Sequence, residues 1–118
     1  MLMYCFHSVD GYSKVGSYIG TGTTLQTIVT GFRPRFVLIK NTTDGNVWTM
    51  GDSARNPNNP IDKALFPNLA NAEYTYPGTP NGISFVSNGF TLNTNQPEFN
   101  QSSGGNNNPG TYIYLAIA

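Results

Sequence analysis

Apolar residues fall into short runs separated by turn-forming residues, a pattern that predicts an all-β protein. No window carries the i, i+3, i+4, i+7 spacing of an amphipathic helix longer than two turns. We therefore expect an antiparallel β-sandwich that forms one domain over residues 1–118. The predicted strands are Leu2–His7, Val15–Ile19, Thr24–Val29, Phe36–Lys40, Val47–Met50, Ile83–Val86, Phe90–Asn93 and Tyr112–Ile117.

Two dipeptides predict how neighbouring strands connect. Asp44-Gly45 lies between the Phe36 and Val47 strands, and Asn88-Gly89 lies between the Ile83 and Phe90 strands. Both dipeptides tolerate the positive φ that tight antiparallel hairpins require. The pattern therefore predicts two hairpins.

Two predicted strands are apolar on both faces. These are the FVLIK strand, Phe36–Lys40, and the final strand, in which Ile113, Leu115 and Ile117 alternate with tyrosine and alanine. Strands of this kind are usually central in a sheet. We expect a loop or another subunit to cover the second face.

Two stretches predict long loops. The stretch Arg55–Gly82 contains five prolines and a hint of a short helical turn around Leu65. We interpret it as an ordered excursion across the sandwich. The stretch Asn93–Gly110 is rich in Asn, Gln, Gly and Ser around Phe99, and it resembles a surface loop.

Composition and charge exclude several classes of function. Six Lys and Arg balance six Asp and Glu, so the formal net charge is zero and a polyanion partner such as nucleic acid is not expected. One Cys and one His exclude an internal disulfide framework and a Cys/His zinc cluster within one chain. The apolar opening, Met1–Phe6, is too short to span a membrane.

Candidate catalytic chemistry is sparse. Cys5 and His7 share a face of a predicted strand, but such a thiol is usually a small buried hydrophobe. Asp44 is explained by turn chemistry, and Asp52 is expected to form a partly buried pair with Arg55. We expect no catalytic residue.

Ligand chemistry leaves two alternatives open. The run NTTDGN, Asn41–Asn46, offers oxygens for calcium but lacks the DxDxDG spacing of a known loop, so we expect no metal and no cofactor. Aromatic side chains near Asn-rich loops favour a sugar-stacking platform. The candidates are Trp48, which is expected to be core, and Tyr74, Tyr76 and Phe99.

Several motifs together resemble a β-sandwich domain of tailed-phage virion proteins, especially from phages of marine and cyanobacterial hosts. The opening Tyr4–Gly22 looks like the joint between successive copies of that domain in longer proteins, and the stretch Asn56–Pro80 is unmatched. The matching motifs are GFRPRFVLIKN (Gly31–Asn41), Trp48, Asp52–Arg55, FVSNGFTL (Phe85–Leu92) and TYIYLAIA (Thr111–Ala118).

The resemblance implies a jelly-roll-like sandwich with an architectural role and no enzymatic activity. It implies a capsid decoration or cement protein that assembles in the bacterial host cytoplasm, binds the major capsid protein on the virion exterior and self-associates as a homotrimer. The alternative is a glycan-binding module of a tail or head fibre. The expected contact residues are Leu2, Tyr4, Phe6, Tyr74, Tyr76, Phe99, Tyr112 and Tyr114.

The two ends of the chain also resemble each other. Leu2–His7 can be aligned with Ile113–Ala118, so the opening has the pattern of a strand. An unpaired strand can add to the sheet edge of another subunit. We expect Leu2–His7 to pair in this way.

Overall fold

The computed structural model describes residues 1–22, 25–78, 81–102 and 109–118, and arranges them as an antiparallel, jelly-roll-like β-sandwich. Its core lies between a four-stranded sheet and a three-stranded sheet. The strands of the described residues are β1 Ser13–Ile19, β2 Gln26–Val29, β3 Phe36–Asn41, β4 Trp48–Asp52, β5 Lys63–Ala64, β6 Tyr74–Thr75, β7 Ile83–Val86, β8 Gly89–Leu92 and β9 Thr111–Ile117.

The chain crosses repeatedly between the two sheets. The four-stranded sheet has the order β1-β9-β3-β4 and the three-stranded sheet the order β2-β8-β7. Consequently β1, β2 and β3 lie alternately in one sheet and the other, and β9 returns from β8 to sit between β1 and β3. As expected from their two apolar faces, β3 and β9 are the central strands.

Side-chain alternation along the strands builds an aromatic core. On β9, Tyr112 and Tyr114 face inward, and the Tyr112 ring stacks on Tyr18 of β1 with centroids 5.0 Å apart. Phe90 of β8 meets Tyr114 edge-to-face at 5.3 Å, which joins the two sheets. Ring pairs in these geometries stabilise a core beyond the area that they bury.

The excursion between β4 and β7 covers one side of the sandwich. Its Leu65 pairs with Met50 of β4, and its Ile61 pairs with Ile83 of β7. Asn59 continues the second pairing with its side chain, because its amide donates to the Phe85 carbonyl (2.8 Å) and accepts from the Phe85 N–H (2.9 Å). Edge strands of both sheets are thereby protected from pairing with another chain.

The predicted strands from Val15 onward are confirmed with shifts of one or two residues, although Thr24 lies outside the described residues. The prediction for Leu2–His7 is wrong for the single chain. This segment has no strand partner within the described residues, because β1 pairs with β9 and its other side meets only Ser8 and Val9.

Both hairpins are present, but the reason given for their turns is wrong. Ser87 and Asn88 form the second turn and Gly89 pairs with Val86, while positive φ is found at none of these residues. In the first hairpin β3 and β4 are separated by residues 42–47, and Gly45 also lacks positive φ. Close approach, not backbone handedness, explains Gly89, because a Cβ there would lie 2.0 Å from the Ile28 carbonyl oxygen.

The two long loops contain strand pairing and buried residues that the sequence pattern did not predict. Around Leu65 the chain forms β5 and a bridge to β4 rather than a helical turn. In the stretch Asn93–Gly110, Phe99 and Asn100 are fully buried, so this surface loop contributes side chains to the core. Residues 79–80 of the first stretch and 103–108 of the second lie outside the described residues.

Candidate functional site

An apolar groove runs over the outer face of the four-stranded sheet. Its volume is about 670 Å³, and it is partly open to solvent. The residues that line it are Tyr4, Phe6, Val15, Gly16, Leu38, Trp48, Ile113, Tyr114 and Leu115.

Strand register explains why these residues meet. Val15, Leu115 and Leu38 are aligned across β1, β9 and β3, and Ile113 lies beside them two residues along β9. Residues two apart on a strand share a face, so the odd-numbered positions of β9 point away from the core. An outer face of this kind in a soluble sheet is normally polar, and its apolar character marks a surface suited to a partner.

Lys40 is a charged residue on this face. Lys40 pairs with Trp48 across the β3–β4 hairpin, and its ammonium group donates to the carbonyls of Asn41 (2.8 Å) and Asn46 (2.5 Å). These bonds hold the ammonium over the hairpin loop. Trp48 is half-buried at the groove and is not the core residue that we expected.

The segment Met1–Phe6, which we call the arm, ends beside the edge of β1. Ser8 anchors this end, because the Ser8 hydroxyl accepts a hydrogen bond from the Val15 N–H at 3.1 Å. The Ser13 hydroxyl donates to the His7 carbonyl at 2.9 Å, and Val9 pairs with Ser13. Beyond this anchor, Tyr4 and Phe6 reach the groove rim while remaining 76% and 57% exposed.

The predicted contact residues separate into two groups. Leu2, Tyr4 and Phe6 are exposed on the arm, and Tyr74 is half-exposed in β6, away from the groove. The other four have buried side chains, and Tyr114 alone among them also borders the groove. They are Tyr76, Phe99, Tyr112 and Tyr114.

Hydrogen bonds hold two of the buried tyrosines, Tyr112 and Tyr18, in the core. The Tyr112 hydroxyl donates to the Pro97 carbonyl (2.8 Å) and accepts from the Gln101 N–H (2.8 Å). The Tyr18 hydroxyl donates to the Phe99 carbonyl (2.7 Å). Burial raises the pKa of Tyr18 and of Tyr112 above the usual value, so both stay neutral donors at ordinary pH.

The sequence predicted this site but assigned the wrong residues to it. The apolar pattern on both faces of β9 predicted a covered outer surface, and Tyr112 and Tyr114 were proposed as its contact residues. In the structure, Ile113 and Leu115 face outward instead. Aliphatic and aromatic residues alternate along β9, and both sets are apolar. Hydrophobic alternation alone therefore could not assign the inner face.

No nucleophile and base pair is assembled around the thiol. Cys5 is exposed, which corrects the expectation of a buried hydrophobe. It lines a smaller depression of about 210 Å³ together with His7 and Tyr12. No hydrogen bond joins Cys5 to His7 among the described residues.

The predicted ion pair is confirmed and is larger than expected. The Arg55 guanidinium contacts Asp52 at 2.5 Å and Glu73 at 2.8 Å, which ties the end of β4 to the excursion. Burial raises the pKa of Asp52, but hydrogen bonds from the Arg55 backbone N–H and side chain outweigh it, so the pKa lies below its usual value. All these groups are partly exposed, and the cluster has the character of a structural clamp.

Metal and membrane chemistry gain no support from the described part of the chain. Within it, no three His, Cys, Asp or Glu residues are grouped to hold a metal ion, and no helix is long and apolar enough to cross a bilayer. In the NTTDGN run, the Asn41 side-chain oxygen accepts from the backbone N–H groups of Thr43 (2.9 Å) and Asp44 (3.1 Å). That oxygen therefore organises the loop.

A family model described as a domain of unknown function, DUF7483, matches residues 1–118. No curated protein and no solved structure matches the chain.

Proposed function

The chain belongs to the DUF7483 family of domains, and we propose that it is a non-enzymatic structural protein of a tailed-phage particle. In this role it decorates the outer capsid surface, binds the major capsid protein and stabilises the joints between capsid subunits. The proposal draws its particle context from the resemblance of the motifs to phage virion domains. Fold alone does not carry function, so its physical support must come from a surface.

The apolar groove is the observation that carries the proposal. Its lining is aliphatic and aromatic, and it offers few groups that could act on a substrate. Apolar faces of this size on small proteins favour association with another protein. Assembly of copies through such a face would strengthen capsid binding, because many linked copies on a lattice act together.

Self-association is part of the same proposal, and a homotrimer is the expected form. A formal net charge of zero supports it, since identical copies then repel one another little. Light scattering during gel filtration at micromolar concentration measures the mass directly. A particle of three chains is expected, whereas a monomer that stays monomeric on empty shells would contradict this element.

A glycan-binding module of a tail or head fibre is the second candidate. Tyr74 favours it, because this half-exposed ring packs against Phe66 with centroids 6.0 Å apart and lies next to Glu73 of the ion-pair cluster. An aromatic face beside polar groups suits a sugar ring. Binding on a glycan array that Tyr74→Ala abolishes would support this candidate, and Tyr12→Ala, another exposed ring, is the matched control.

Location on the particle separates the two candidates. Immunogold electron microscopy of purified virions with an antibody against this chain would show gold spread over the head for a decoration protein. Gold confined to the tail or its tip would overturn the capsid proposal and favour the glycan module. Virions without gold, from a lysate that contains the protein, would contradict both.

A further inference from the structure

We propose that the arm of one copy occupies the groove of a second copy of this chain, so that copies are linked by reciprocal arm exchange. This inference rests on the self-association in the proposed function and not on the phage particle. Each chain then gives one arm and receives one. A closed ring of copies satisfies every arm and every groove.

The arm has the properties of an unpartnered strand. Its side chains are mostly apolar and all exposed, and within the described residues its backbone makes no hydrogen bond. A short segment with so many apolar side chains is normally buried against other apolar groups, away from water. The arm is therefore half of an interface.

Length and anchoring fit the arm to the groove. An extended segment of six residues spans about 20 Å, and the distance from β1 to β4 across three strand spacings is about 14 Å. One arm is thus long enough to cross the apolar face. Ser8 and Val9 anchor the arm at the edge of β1, and Tyr4 and Phe6 line the groove, so the arm and the groove lie on the same side of the sandwich.

The arm of the same chain does not fill this groove. Only Tyr4 and Phe6 of the arm line it, and Met1, Leu2 and Met3 do not. These three side chains are exposed to solvent, so the groove of another copy can receive them. Groove and arm are both apolar and both unpartnered on one molecule, which selects a second copy as the occupant.

The sequence led us to expect that the arm pairs with a sheet edge of another subunit, but few strand edges are free for such pairing. The edge of β1 is held by Ser8, that of β4 by Leu65, and that of β7 by Ile61 and Asn59. The edge of β2 remains the competing position, with Val29 exposed there. The experiment therefore has to separate the outer face of β1 from the edge of β2.

Directed disulfide formation between two variants tests the proposal. Cys5 is the single cysteine of the chain and lies on the arm. The second variant carries Cys5→Ser and Ser17→Cys, which puts a thiol on the outer face of β1 beside Ile113. In a mixture of this variant with the wild-type chain, Cys5 can bond to the introduced thiol at position 17 only between chains. Mild oxidation is expected to convert most of the protein to that heterodimer.

Two further thiol positions serve as controls. In the Cys5→Ser background, Thr27→Cys marks the edge of β2 and Ser87→Cys marks the exposed β7–β8 turn. Arm exchange predicts that both react with wild-type Cys5 at least about tenfold more slowly than position 17. Preferential reaction at position 27 would overturn the groove proposal in favour of edge addition, and equal reaction at all three positions would show random collision.

A single-chain variant separates exchange from a folded-back arm. When Ser17→Cys is made with Cys5 retained, exchange gives linked chains on a non-reducing gel, and a folded-back arm gives a monomer with an internal bond.

Deletion of Met1–Phe6 is expected to abolish association while leaving the melting temperature within a few degrees. A monomeric wild-type chain, or a deletion variant that still associates, would overturn the proposal. If virions carry no gold but the cross-linking result is as expected, the phage role is contradicted and arm exchange is still supported.

Discussion

Gly89 is required because another backbone occupies the space that a side chain would need. A Cβ at this position would lie 2.0 Å from the Ile28 carbonyl oxygen, an atom that pairing between β2 and β8 holds in place. Overpacking of this kind costs about 1–3 kcal/mol. We expect Gly89→Ala to lower the free energy of unfolding by about that amount, measured by urea denaturation.

Gly45 is the matched control for this substitution. A Cβ there meets nothing within 4 Å, and its φ is not positive. Gly45→Ala should leave stability unchanged or raise it by about 0.4–1 kcal/mol, because the unfolded chain loses freedom. Equal losses at the two positions would contradict close approach as the reason for Gly89.

Asp52 is the better buried of the two carboxylates that flank Arg55. Its side chain is 23% exposed and that of Glu73 is 39% exposed. Asp52→Asn keeps the shape and removes the charge, and it should cost about 1 kcal/mol at neutral pH after allowance for solvent screening. Glu73→Gln, the control, should cost clearly less in the same denaturation experiment.

Acid should remove the contribution that the Asp52 charge makes to the free energy of unfolding. The pKa of Asp52 is lower in the folded state, so its contribution is present above the ordinary aspartate pKa of about 3.9 and is lost as pH falls through the folded value. Denaturation curves of wild type and Asp52→Asn should therefore converge as the pH is lowered through this range. A constant difference at all pH values would contradict a charge-based role.

At the scale of the element, the Asn59 side chain makes the hydrogen bonds that a neighbouring strand would make to the edge of β7. Asn59 bonds to both the N–H and the carbonyl of Phe85, at the outer edge of β7. Asn59→Ala should leave this edge bare, lower stability by about 1–3 kcal/mol and speed hydrogen exchange at the Phe85 amide. Asn68→Ala is the control, since Asn68 accepts a single bond, from the Trp48 N–H. No change in exchange at Phe85 would contradict the edge role of Asn59.

Elements also show what the sequence could predict. Period-two alternation located the strands from Val15 onward. In the β7–β8 hairpin the pattern is clear, because Ile83, Phe85 and Phe90 are buried and serine and threonine alternate with them. On β9 both faces are apolar, so the phase could not be assigned. The β5–β6 pair was missed since each strand is only 2 residues long and depends on contacts distant in sequence, such as Leu65 with Met50.

The same contrast applies to the site. A covered second face on β3 and β9 was predictable, because apolar residues on both sides of a strand require cover. The role of Trp48 was not, since a lone tryptophan in an apolar strand fits the core equally well. Only the register between β3 and β4 places Trp48 opposite Lys40 on the outer face.

At the scale of the whole molecule, the two sheets are joined through buried tyrosines. Burial raises the pKa of Tyr18, Tyr76, Tyr112 and Tyr114. A raised pKa in the folded state means that the unfolded chain loses these protons first. Stability is therefore complete below the ordinary tyrosine pKa of about 10 and decreases as pH rises above it.

The expected result is cooperative unfolding in alkali, in which these tyrosines ionise together with the loss of structure. Each group contributes a slope of about 1.4 kcal/mol per pH unit once the unfolded chain is ionised. Tyrosinate absorbance and circular dichroism recorded on one titration should change at the same pH. Tyr114→Phe keeps the ring that packs on Phe90 and removes one ionising group, so it should make the decrease in stability shallower. Tyrosine ionisation that precedes unfolding would show that the core admits water before the sheets separate, and the sandwich would then not be held as one cooperative unit.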